Sequence, residues 1–124
     1  MKKFLIFLVL AFSLLNANSL DEIRSSKTLR VGVYDAQPPF SQLKSSGEFE
    51  GFEIGFAKEI AKGIFGESGG NVEFKAVSAN DRIKLLQNNS VDLVIATLTI
   101  TDERAKLVRF LKSLFCRKYW GFDA

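Results

Sequence analysis

Histidine is absent from these 124 residues, cysteine occurs once, at Cys116, and proline only as the pair Pro38 and Pro39. Without histidine, the commonest general base and the commonest metal ligand are missing. A single cysteine excludes a disulfide within the chain. The apolar run Phe4 to Leu15 is too short to cross a bilayer comfortably. Neither sign of charge dominates. The formal charge is +3, and from Asn18 onward 15 basic residues face 14 acidic ones, so no nucleic-acid surface is indicated. What is present is ordinary: 47% hydrophobic and 25% charged residues, enough for one domain with a modest core.

The first 17 residues read as a secretory leader. Lys2 and Lys3 precede the apolar run, and cleavage after Ala17 is plausible, although Leu15 is larger than the small residue preferred there. No cysteine lies near that point, so no lipid anchor is indicated. The remainder is expected to be exported, to the periplasm in a Gram-negative cell.

Ser19 to Ser26 suits a short helix, with Ser19 as its cap and Asp21 and Glu22 in its first turn. Leu29, Val31 and Val33 alternate with Arg30 and Gly32, the period of a strand. Tyr34 to Phe40 is expected to be a loop stiffened by the two prolines. Its Phe40 either packs beneath the loop or walls a pocket. Ser45, Ser46 and Gly47 mark a turn. Ala57, Ile60, Ala61 and Ile64 then fall at helical spacing, in a helix ending near Gly66. Val72 to Val77 predicts a second strand, with Val72, Phe74 and Ala76 on one face. Asn80 is expected to cap a helix ending at Asn88 and Asn89. Strands alternating with helices predict an α/β fold with a parallel sheet and right-handed crossovers.

The stretch Val91 to Arg104 draws these elements together. Leu93 to Ala96 predicts a buried strand that runs into hydroxyls at Thr97 and Thr99. Thr101 caps a following helix, with Asp102 and Glu103 in its first turn and Arg104 just behind. Ligands in open α/β sheets sit at the carboxyl ends of strands. Two hydroxyls and a guanidinium there would cradle a carboxylate. The same residues also suit a strand, a capped helix and a solvated arginine.

Leu29-Arg-Val-Gly-Val33, Pro39-Phe40, Gly51-Phe-Glu-Ile-Gly-Phe-Ala-Lys58, Asn80-Asp-Arg82 and Val91-Asp92, with the stretch above, resemble the family 3 extracellular solute-binding proteins of polar amino acid ABC transporters. The resemblance spans Ser19 to about Phe110. It implies a three-layer, type II periplasmic-binding-protein lobe over residues 18–110, the first half of a clamp that closes on a free amino acid and hands it to a membrane permease. Cofactors and metals are not implied. Thr99 and Arg104 would hold the α-carboxylate, and Thr97 would help hold the α-amino group. Tyr34 and Phe40 would wall the side-chain pocket. Arg82 would meet an acidic side chain, so an acidic amino acid is favoured, though relatives that bind cysteine also carry arginine there. Arg82 reads equally as a solvated helix residue. Two departures stand out: Gly55 replaces a usual acidic residue, and Tyr34 stands where a group of aspartate and glutamate binders has lysine. Two other functions stay open, a periplasmic dehydratase-like enzyme and a surface antigen or sensor domain without transport.

The family's second lobe would follow residue 110. Leu111 to Ala124 has poor strand or helix patterning and holds the only cysteine and the only tryptophan, with Arg117 to Trp120 suiting no hinge strand. Suitable synonymous codons, shifted by one base, read Ser-Lys-Ala-Tyr-Phe after Phe110, which resembles the family's continuation. The expectation is a frameshift near codon 110 and an out-of-frame tail over 111–124. A half-clamp cannot enclose a ligand from both sides, so these residues alone are expected to bind poorly.

Overall fold

The computed structural model describes residues 19–67 and 70–111. The expected leader over 1–17, and all of the expected tail except Leu111, lie outside the described residues.

Helix α1, Leu20–Ser26, opens as its capping residues dictate. The Ser19 hydroxyl accepts from the Glu22 N–H at 3.3 Å, and the Glu22 carboxylate accepts from the Ser19 N–H at 2.7 Å. This reciprocal pair satisfies two otherwise orphaned donors.

Strand β1, Thr28–Val33, is the centre of a three-stranded parallel sheet. Strand β5, Asn71–Ala76, lies on one side of it and β6, Leu93–Val94, on the other. Val31 pairs with Phe74 and with Leu93, and Gly32 with Lys75 and Val94. Parallel sheets are covered on both faces, and β1 shows it: Leu29, Val31 and Val33 are buried, and so is Gly32 between them. A Cβ at Gly32 would stand 2.7 Å from Val77 Cγ1, so glycine keeps the neighbouring chain close.

Helix α2, Phe52–Phe65, lies over this sheet. Its buried residues Ile54, Ala57 and Ala61 join Leu29, Val31 and Val33 in the core. Alanine at two of these positions lets the helix approach the strands closely. The expected stripe therefore sits one turn further toward the N-terminus, with Ile60 and Ile64 only half-buried at its margin. Helix α3, Arg82–Gln87, precedes β6, and α4, Asp102–Ala105, follows it. The α/β class and parallel sheet are as the sequence predicts. Among the described residues no helix is long and apolar enough to cross a membrane.

Three local expectations need correction. Tyr34 to Phe40 is not all loop. Ala36–Gln37 forms β2, which pairs antiparallel with β3, Ser41–Leu43, and β3 pairs with β4, Phe49–Glu50. Strands of two or three residues are too short to show a period in sequence. Asn80 is not the cap of α3. Asp81 is, and its Oδ1 accepts from the Ser78 N–H at 2.7 Å instead of from the helix. Strand β6 is shorter than Leu93 to Ala96. The Ile95 N–H still donates to the Gly32 carbonyl at 2.9 Å, but Thr97 at φ 44° then turns the chain away. On β5, Val72 and Phe74 pack against the core while Ala76 is exposed.

Candidate functional site

The carboxyl ends of β1 and β6 lie side by side, because Gly32 and Val94 are paired. One step beyond Val33 is Tyr34, and just beyond Val94 are Ala96 and Thr97. Helix α3 places Arg82 against both. Its Nη1 donates to Tyr34 Oη at 2.6 Å and to the Ala96 carbonyl at 2.8 Å. The guanidinium also lies 5.8 Å from the Tyr34 ring centroid, within cation–π range.

Arg82 is 7% exposed, so it is not a solvated helix residue. Its Nε is buried without a hydrogen-bond partner, and among the described residues no carboxylate stands within ion-pairing distance. A buried cation is costly unless an anion meets it. The contrast with Arg30 is informative. Arg30 Nε and Nη2 both reach the Asp92 carboxylate, at 3.0 and 2.6 Å, and Nη1 reaches the Asn89 carbonyl at 2.7 Å.

Thr97 holds a φ of 44°, the left-handed region that β-branched residues avoid. Such strain costs about 1–3 kcal/mol and gathers at functional sites. Its hydroxyl donates to Gln37 Oε1 at 3.3 Å, tying the β6 end to the β2 turn. Gln37 was not singled out from sequence; its only signal was its place before the two prolines.

Thr99 and Arg104 are brought together at the start of α4. Arg104 Nη1 donates to the Thr99 carbonyl at 2.9 Å. The Thr101 hydroxyl caps α4 as expected, accepting from the Arg104 N–H at 3.2 Å. Phe40 is half-buried, and its backbone belongs to the turn below β2: its N–H donates to the Gln37 carbonyl at 2.9 Å. The site thus has two clusters, Tyr34–Arg82–Ala96 with Thr97–Gln37, and Thr99–Arg104.

A further group lies beneath this turn. Glu53, on the first turn of α2, is 5% exposed and Ser41 is 1% exposed. Glu53 Oε2 and Ser41 Oγ are both buried without a hydrogen-bond partner. Burial pushes the Glu53 carboxyl above its ordinary value, and the nearby Ser41 hydroxyl pulls it only part of the way back. Among the described residues there is no cluster of three or more acidic, cysteine or histidine side chains that could hold a metal ion.

Comparison with known proteins bears on this geometry. The glutamine-binding protein of a Bacillus subtilis ABC transporter is 52% identical over 66 residues, which cover 53% of this chain and 24% of that relative. The chain thus matches only a minor part of its relative's length. A solved cysteine-binding protein from Campylobacter jejuni superposes with a TM-score of 0.69 at 39% identity, over 77% of this chain and 38% of that one. A point mutant of the arginine-bound form of domain 1 from TmArgBP superposes with a TM-score of 0.71 at 32% identity, over 83% of this chain and 77% of that one. The profile of the bacterial extracellular solute-binding proteins, family 3, matches residues 29–118, and the chain belongs to that family.

Proposed function

We propose that this lobe binds a free polar amino acid in the periplasm, with acidic amino acids favoured, and contributes to its delivery to an ABC permease. The observation that carries the reading is Arg82, a buried guanidinium beside Tyr34 with no carboxylate of its own. A ligand side-chain carboxylate would supply the missing charge, and arginine suits it because its planar fork matches two oxygens. Thr99 and Arg104 would take the α-carboxylate, with Thr97 near the α-amino group and Tyr34 and Phe40 as walls. Relatives bind glutamine, cysteine and arginine by their names, which supports an amino acid ligand and leaves the side chain to be tested. The arginine-bound domain 1 of TmArgBP supports binding by a single lobe. The role is binding and transfer, without bond chemistry.

NMR titration of the 124-residue chain with a panel of amino acids tests this. One-sided contact sets the expected affinity at about millimolar. Arg104→Ala should weaken every ligand, by about tenfold or more for the loss of a charge-assisted bond. Arg82→Ala should weaken aspartate and glutamate far more than glutamine or serine. Equal losses across both classes would make Arg82 a structural residue, and unchanged binding in Arg104→Ala would remove its assigned role.

A further inference from the structure

The turn that carries Gln37 and Phe40 is strapped to the start of α2. The Phe52 N–H donates to the Pro39 carbonyl at 3.2 Å, and the Glu53 N–H donates to the Phe40 carbonyl at 2.9 Å. Gly51 sits directly under the turn; at φ 125°, a Cβ there would come within 2.4 Å of the Phe40 carbonyl oxygen. The Glu53 side chain is buried, with one oxygen lacking a hydrogen-bond partner and the Ser41 hydroxyl close enough to offset part of the cost of burial. A carboxyl so placed is tolerated as the neutral acid and poorly as the anion.

We propose that Glu53 is a proton-operated positioning residue: as the neutral acid it keeps the Pro38–Phe40 turn seated on α2, and on ionising it releases that turn. The consequence rests on the amino-acid-binding reading: Phe40 leaves its place at the ligand, Gln37 leaves Thr97, and affinity falls as pH rises.

The surroundings leave burial in control. Of the elements packed on α2, β3 carries no charge. On β4, Glu50 is paired with Lys44 at 2.6 Å. On β1, Arg30 is held by Asp92, and on β5, Glu73 and Lys75 are exposed. On α2 itself, Lys58, Glu59 and Lys62 are exposed. A cleft of about 270 Å³, lined by Pro38, Pro39, Ser41, Gln42, Glu50 and Gly51, lies beside the turn. The sign follows from a raised carboxyl: the folded turn is fully held below the ordinary carboxyl value of 4.5 and loosens as pH climbs through the raised one.

Amide hydrogen exchange of the ligand-free chain, followed by NMR between about pH 5 and about pH 8 and corrected for intrinsic rates, tests the latch. Protection of the Phe52 and Glu53 amides should fall by about threefold or more from the lower to the higher pH. Glu53→Gln, neutral at every pH, should hold both amides within about twofold across the range. Protection in the unsubstituted chain that ignores pH overturns the proposal, as does a Glu53→Gln chain that keeps the pH dependence. Should that variant fail to fold, the profile of the unsubstituted chain decides alone. Amino acid titrations run beside it separate the two readings. Binding that ignores pH while exchange titrates overturns the coupling to ligand. No binding at any pH, with exchange that titrates, sinks the amino-acid reading and supports the latch.

Discussion

Replacing Asp92 with alanine should strongly destabilise this lobe. The carboxylate accepts from the Arg30 backbone N–H at 2.9 Å, from Arg30 Nε at 3.0 Å and from Arg30 Nη2 at 2.6 Å. The Asp92 backbone N–H also donates to the Arg30 carbonyl at 2.8 Å, a bond that the substitution keeps. The pair reinforces itself. The hydrogen bond to Asp92 is the main cause that holds the Arg30 guanidinium above its ordinary value, and burial opposes it. Breaking a fully buried pair costs about 3–5 kcal/mol, because the partner charge is stranded. Here the Asp92 side chain is 3% exposed but that of Arg30 is 31% exposed, so the guanidinium recovers part of its hydration. Nη1 also keeps its bond to the Asn89 carbonyl. The discounted loss is about 2–4 kcal/mol, a large share of the stability of a small domain. Urea unfolding followed by far-ultraviolet circular dichroism measures it. Asp92→Asn keeps the shape and one acceptor, and should lose about half as much. A double-mutant cycle with Arg30→Met should then return a coupling of about 1–3 kcal/mol. An Asp92→Ala chain within about 0.5 kcal/mol of the original would refute the reasoning and reduce the fork to a surface contact.

Other outcomes follow from backbone geometry. Thr97→Gly should raise stability by about 1 kcal/mol by relieving the left-handed strain, yet weaken amino acid binding through loss of the hydroxyl; denaturation and titration of one variant read both. Gly63→Ala, helical and with nothing within 4 Å of the added Cβ, should stabilise by about 0.5–1 kcal/mol in the same unfolding assay. Gly51→Ala should instead destabilise by about 1–3 kcal/mol, since its Cβ meets the Phe40 carbonyl; a neutral result would mean that the turn is loosely held.

Local chemistry was legible in the residues themselves. Ser19 and Thr101 were recognisable as caps because a hydroxyl serves N–H groups within three residues of it. The alternation around β1 and the helical spacing of Ala57 and Ala61 located a strand and a helix, since burial imposes each element's own period. Their alternation along the chain then set the parallel sheet. The site's inner arrangement was decided only in three dimensions. Arg82 and Tyr34 are 48 positions apart, Gln37 and Thr97 are 60 apart, and Arg30 and Asp92 are 62 apart. No period joins such pairs. Whether Arg82 is solvated or buried, and whether Glu53 has a partner, depends on what the folded chain lays over them. On a helix, Arg82 and Lys84 look alike in sequence; packing buries the first beneath Ala96 and Tyr34 and leaves the second in water. The sequence could therefore name the residues at the strand ends, while the tertiary structure determined which of their charges lack a counterpart.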